Sequence, residues 1–92
     1  MALSDKAKLA MEIAMCDKPA SDEFNAAVDS PASLSDRAKS ALEIAMCDKP
    51  ASDEVAALVA AGSGSMSDRA KLAMRIAMCD PAASDEMIAE IE

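Results

Sequence analysis

The chain repeats one pattern of apolar and polar positions three times. The stretch "LSDKAKLAMEIAMCDKPASDE" that starts at Leu3 is nearly matched from Leu34 and again from Met66, whereas the residues that follow each copy diverge. A repeat that covers a whole chain indicates repeated supersecondary units packed on one another. The pattern therefore predicts one domain, residues 1–92, built of repeats 3–29, 34–60 and 66–92 that are joined by linkers 30–33 and 61–65.

Each repeat predicts a helical hairpin. A serine followed by aspartate begins the apolar pattern, and neither Gly nor Pro interrupts it before the cysteine, so we expect a helix A of about 12 residues. The expected caps of helix A are Ser4, Ser35 and Ser67. A proline-containing segment then ends helix A, and a second serine is expected to cap a shorter helix B of about eight residues. The expected caps of helix B are Ser21, Ser52 and Ser84.

Helix A is apolar around most of its circumference. At about 100° per residue, Leu9, Ile13 and Cys16 share one stripe, and alanines and methionines form two others. A helix that is apolar on most sides packs among neighbours. We therefore expect an all-α fold in which inner, parallel A helices close about a pseudo-threefold axis, with the cysteine stripe facing that axis and the B helices outside. A short open α-solenoid is the alternative.

Composition supports a helical fold. Apolar residues make up 52% of the chain, and they include eight methionines and a single aromatic residue, Phe24. Met and Ala favour helices, whereas β-branched and aromatic residues favour strands. The chain is long enough for one modest core.

Charge and hydropathy exclude several classes of partner. With 17 acidic and 9 basic residues, the net charge of −8 disfavours nucleic acid and anionic membrane surfaces. No apolar run reaches the roughly 20 residues that span a bilayer, and the start "MALSDKAK" lacks the layout of a signal peptide. We therefore expect a cytoplasmic protein that is a monomer or a small homo-oligomer.

The repetition also suggests an origin. Near-identical units, a narrow choice of residues and the segment "AAGSGSM" resemble an engineered or de novo designed single-chain trimer with threefold helical hairpins. The resemblance is to a style of protein and covers the whole chain. It implies the fold just described and carries no functional residues with it.

The cysteines carry the candidate chemistry. Cys16, Cys47 and Cys79 occupy the same place in the three copies of "IAMCD", and the chain has no histidine. If the cysteines meet on the axis, three thiolates could bind a thiophilic metal, first Zn²⁺ or a heavier ion, with a [4Fe–4S] cluster as the alternative. The aspartates that follow the cysteines could support such a site or supply a fourth ligand. They are Asp17, Asp48 and Asp80.

A structural role for the cysteines is the second hypothesis. Free cysteine packs as a small apolar residue, so the chain could be a structural or helix-interaction module with buried, inert thiols and no metal. Its exposed Met and Ala surface would then bind a partner helix or drive oligomerisation.

No Ser-His-Asp, Cys-His or phosphate-loop motif is present, so no catalytic residue is predicted. Simple hydrolytic or redox chemistry would require an open metal position. Arg75, which replaces the glutamates of the other repeats, is expected either to pair across a repeat boundary with a glutamate or to reduce the negative charge around the cysteines.

Overall fold

The computed structural model describes residues 3–30, 33–62 and 64–92, and this part of the chain is all-α, as predicted. The A helices are α1, α3 and α5, and the B helices are α2, α4 and α6. Their bounds are α1 Asp5–Met15, α2 Lys18–Asp29, α3 Asp36–Met46, α4 Lys49–Ala61, α5 Asp68–Met78 and α6 Pro81–Ile91.

The predicted caps of the A helices are confirmed, but those of the B helices are wrong. The hydroxyl of Ser4 accepts a hydrogen bond from the backbone N–H of Ala7, and the other two A helices begin in the same way. Helix α2 begins earlier than expected, because the Asp17 carboxylate caps it and Pro19 fits within its first turn. Ser21 is instead buried one turn inside the helix, where its hydroxyl donates to the carbonyl of Lys18.

The early start also lengthens the B helices. They contain 12, 13 and 11 residues, against 11 in each A helix, so the expectation that helix B is shorter is wrong. The physical reason is that a proline at the first or second position of a helix costs nothing there, since its missing N–H would have no partner within the helix.

The three hairpins form a closed ring. Every A helix packs against both of the others, and α6 contacts α1 in the same way that α2 contacts α3 and α4 contacts α5. In an open solenoid the first and last repeats would not meet. The described residues extend 27 × 25 × 24 Å along the three principal axes. The closed pseudo-threefold arrangement is therefore the correct one of the two.

The face that helix A turns inward is not the predicted one. Ala7 is fully buried and Met11 is 1% exposed, whereas Leu9 is 58% and Ile13 68% exposed. The stripe that ends in the cysteine therefore faces solvent. The inward face of each A helix combines small alanines with long, adaptable methionine or leucine side chains, which allows three helices to approach closely while the remaining space is filled.

The B helices complete the core. Phe24, Val55 and Met87 occupy equivalent positions, and all three are fully buried. The next position differs between repeats, with Asn25 where the others have Ala56 and Ile88. Asn25 is 5% exposed, and among the described residues its side-chain oxygen has no hydrogen-bond partner. The first repeat thus contains a polar atom at a core position that the other repeats fill with apolar side chains.

The second linker follows α4 closely. Gly64 has φ +141°, a conformation that strains any residue with a side chain, and a Cβ atom at this position would lie 2.5 Å from Cδ2 of Leu58, so that side chain would have to move. None of the described helices has both the length and the apolar character needed to cross a membrane.

Candidate interaction grooves at the repeat seams

Each repeat is joined to the next by a carboxylate that binds the start of the next A helix. The boundaries between repeats are called seams 1–2, 2–3 and 3–1. At seam 1–2, the Glu23 carboxylate accepts from the backbone N–H of Ser35 at 2.7 Å and from its hydroxyl at 2.8 Å. Glu54 binds Ser67 with the same two distances, 2.7 and 2.8 Å. Glu86 binds Ser4 at 2.6 Å through both groups and closes the ring at seam 3–1.

The Ser–Glu bonds satisfy both groups of each serine. The hydroxyl accepts from its own helix and donates to the glutamate of the preceding repeat, or of the last repeat at seam 3–1. These hydrogen bonds to Ser4, with Lys6 nearby, lower the pKa of Glu86. This role of the glutamates was not predicted from the sequence, although the equal spacing of Ser and Glu in every repeat was a usable signal.

A second contact at each seam is an ion pair. Arg37 binds the Asp17 carboxylate through two nitrogens at 2.9 and 3.1 Å, and Arg69 binds Asp48 in the same way at 2.8 and 3.2 Å. The hydrogen bonds from arginine and from a helix N-terminus lower the pKa of Asp17 and of Asp48. At seam 3–1 the cation is Lys6, which approaches Asp80 at 3.7 Å. The seam that joins the first and third repeats therefore has the longest of the three ion pairs.

Charged side chains also form ion pairs within each hairpin. In the first repeat Lys18 lies 3.1 Å from both Glu12 and Asp22. In the third repeat Pro81 replaces the lysine, and Arg75 replaces the glutamate. Arg75 then pairs with an aspartate of its own hairpin, Asp85, at 3.4 Å, so the expectation that it pairs with a glutamate across a seam is wrong.

A groove lies along each seam beside these contacts. Each groove is lined by the Met-Cys-Asp end of one A helix and by the outer stripe of the next one around the ring. The volumes are about 450 Å³ at seam 1–2, about 290 Å³ at seam 2–3 and about 420 Å³ at seam 3–1. The residues that the next helix contributes to these grooves include the pairs Ser40 and Ile44, Leu72 and Ile76, and Leu9 and Ile13.

The grooves differ at one position. Leu72 and Leu9 present a large apolar side chain at seams 2–3 and 3–1, where Ser40 presents a hydroxyl at seam 1–2. With the cysteine stripe expected at the axis, this serine would have lain in the interior. Because the stripe faces outward, Ser40 instead makes one of the three surface grooves more polar than the other two.

The cysteines are exposed at the ends of these grooves. Cys16, Cys47 and Cys79 end their helices with φ 53°, a left-handed conformation that glycine usually adopts at this position. Each thiol donates a hydrogen bond of 3.4 Å to the carbonyl three residues earlier in its own helix. The expectation that the thiols are buried is therefore wrong, and so is the expectation that they face the axis.

The metal hypothesis requires three converging sulfur atoms. Within residues 3–30, 33–62 and 64–92, no three Cys, Asp or Glu side chains form a group that could hold a metal ion. Each cysteine lies in a different groove, next to Asp17, Asp48 or Asp80, and each of these aspartates caps a helix and faces a cation. Binding of Zn²⁺ or of a cluster stays a prediction. Its test is whether the reduced chain takes up one Cd²⁺ ion and loses it equally in the three Cys→Ser variants.

Comparison of the chain with known protein families, with curated proteins and with solved structures finds no match. The resemblance to a designed single-chain trimer therefore stays a prediction.

Proposed function

We propose that the protein is a helix-interaction module whose seam grooves bind amphipathic helices with a basic polar face. The observation that carries the proposal is the exposure of five large apolar side chains, which range from 58% to 71% exposed. All five belong to the outer stripes of the A helices. They are Leu9, Ile13, Ile44, Leu72 and Ile76.

The spacing of these side chains suits a helical partner. Leu72 and Ile76 are four residues apart, so they lie one turn apart on the same face of α5 and border a groove. A partner helix that places apolar residues three or four positions apart would bury them in such a groove. Single exposed apolar residues are common on protein surfaces. Here a Leu–Ile pair with the same spacing borders two grooves, Leu72 and Ile76 at seam 2–3 and Leu9 and Ile13 at seam 3–1.

The charge of the chain indicates the polar face of the partner. The chain carries a net charge of −8. Each outer stripe begins with an exposed aspartate four residues before its Leu or Ser position; these residues are Asp5, Asp36 and Asp68. The cations inside the grooves, Arg37, Arg69 and Lys6, are already paired with aspartates. A basic face on the partner would therefore be attracted, and an acidic one repelled.

The test is a titration with two synthetic helices that share Leu positions and a single Trp but carry either Lys or Glu on the polar face. The chain has no Trp or Tyr, so the fluorescence of the peptide is seen without background. We expect saturable binding of the Lys peptide that weakens with added salt, and little binding of the Glu peptide. Equal binding of both peptides, or of neither, would contradict the proposal.

Variants locate the binding surface. Ile76→Ser removes an apolar side chain that is worth about 1.5–3 kcal/mol when fully buried, so we expect a loss of affinity of about tenfold or more at seam 2–3. Ala89→Ser, on the exposed face of α6, is the matched control and should bind as the parent chain does. Ser40→Leu should strengthen the groove at seam 1–2. Unchanged binding by both groove variants would show that the peptide binds elsewhere.

A further inference from the structure

The three seams share the same Ser–Glu bonds and the same contact between helices, although only two of the seams join repeats that are consecutive in the chain. Glu86 binds Ser4 through the same two groups that Glu23 uses to bind Ser35. The contact of α6 with α1 likewise has the form of the contact of α2 with α3. The first and third repeats therefore meet through a docking surface that requires no covalent connection between them.

We infer that this docking surface also accepts a second copy of the chain, so that two chains exchange their third repeats and form a domain-swapped dimer. Each lobe of the dimer contains repeats 1 and 2 of one chain and repeat 3 of the other. Every Ser–Glu bond and ion pair of the monomer is then made again, at seams 2–3 and 3–1 between chains. Exchange of identical elements costs little because each bond broken within a chain is replaced by the same bond between chains.

The closing seam has the longest ion pair of the three, while its Ser–Glu bonds, at 2.6 Å, are no longer than those of the other seams. Lys6 reaches Asp80 at 3.7 Å, whereas arginine makes two shorter hydrogen bonds at each of the other seams. Repeat 3 is connected to repeat 2 only through the segment between Gly62, the C-cap of α4, and Ser67, the N-cap of α5. When seams 2–3 and 3–1 open together, repeat 3 is released as one hairpin and can dock on the corresponding surfaces of another chain.

The inference is independent of the proposed function, because it uses the seam contacts and not the outer stripes. Ile76, for example, is 65% exposed and makes no part of the Ser–Glu bonds or the ion pairs. Association through the stripes and exchange of repeats can therefore be told apart by their response to different substitutions.

The experiment refolds the full chain from denaturant at a series of protein concentrations, with reductant present because the three thiols are exposed. Mass is then measured by size-exclusion chromatography with light scattering. We expect a species of twice the monomer mass whose fraction rises with refolding concentration. This species should persist after dilution, because its return to monomer requires both lobes to open.

The effect of linker length on the dimer fraction distinguishes exchange of repeats from association through the surface. Deletion of Gly64 and Ser65 shortens the reach of the linker by about 7 Å and should make the dimer the main species, whereas insertion of two residues at the same place should reduce it severalfold. Ile76→Ser is the matched control and should leave the dimer fraction unchanged.

Three outcomes would overturn the inference: a wild-type chain that is monomeric at every refolding concentration, a dimer that is indifferent to linker length, or a dimer that Ile76→Ser removes. If the shortened chain does not fold, the comparison of the wild type with the insertion variant decides the question alone.

Discussion

The two faces of helix A are both apolar, yet only one of them is buried. In α3 the inward face carries Ala38 and Leu42, which are 0% and 1% exposed, while Ile44 on the outward face is 71% exposed. Hydrophobicity alone does not separate these faces, since isoleucine is as apolar as leucine. The difference is that the buried face alternates small and large side chains, so that neighbouring helices interdigitate at the axis. Local size pattern, more than the amount of apolar surface, decides which face turns inward.

The largest predicted effect comes from truncating one side chain on each face of α3. Leu42→Ala removes a fully buried side chain and should lower the free energy of unfolding by about 2–5 kcal/mol. Ile44→Ala, two residues away, should change it by less than about 0.5 kcal/mol because the side chain is exposed. Urea denaturation followed by circular dichroism measures both values. Similar losses in the two variants would reverse the assignment of the faces.

Enlarging a side chain at the axis should also destabilise the fold. Ala38→Leu places three additional carbon atoms where no solvent reaches, and we expect a loss of about 1–3 kcal/mol from overpacking. Ser40→Leu introduces the same side chain on the outward face and serves as the control, with little change expected. A neutral or stabilising effect of Ala38→Leu would mean that the axis is not closely packed.

A smaller effect is expected where the core contains a polar atom. Asn25→Ala, which copies the second repeat, should stabilise the chain by about 1 kcal/mol because it removes a buried oxygen that lacks a partner among the described residues. The reverse change in the second repeat, Ala56→Asn, should destabilise by a similar amount. If Asn25→Ala instead lowers the melting temperature, the amide contributes a contact that offsets its burial.

The smallest effect concerns the cysteines on the outward face. Cys79→Gly removes the strain of a non-glycine residue in the left-handed conformation, but it also increases the conformational freedom of the unfolded chain. The net effect should be a stabilisation of the folded state by about 0.5 kcal/mol. Cys79→Ala keeps a Cβ atom and should be close to neutral. If Cys79→Gly is less stable than Cys79→Ala in thermal unfolding, the thiol makes a stabilising contact.

The helices could be predicted from the sequence more completely than the face that helix A turns inward. The repeat and the caps of the A helices at Ser4, Ser35 and Ser67 followed from periodicity and from the absence of helix breakers. The sequence left closure of the ring and an open solenoid as alternatives, and the contact of α6 with α1 confirms closure. The start of the B helices did not follow, because a proline is compatible both with the end of one helix and with the first turn of the next, where Pro19 lies.

The orientation of helix A could not be read from periodicity alone. A helix with three apolar stripes offers three candidate inward faces. Which one turns inward depends on the distance between the helices at the axis, and therefore on the size of the side chains packed there. The expectation that Leu9, Ile13 and Cys16 face the axis selects one of these stripes, and the apolar pattern itself does not distinguish it from the other two. The Ser–Glu seams were missed for a different reason: each joins residues 12, 13 or 82 positions apart, and such pairing is set by tertiary packing.

Native-state thiol accessibility tests the outward position of the stripes most directly. The measurement is alkylation of the folded, reduced chain by iodoacetamide, followed by mass spectrometry, with the urea-unfolded chain as the reference. The structure predicts that Cys16, Cys47 and Cys79 all react while the protein is folded, at rates near those of the unfolded chain and independently of one another. Equal and strong protection of all three thiols would contradict it and would place them together inside the ring.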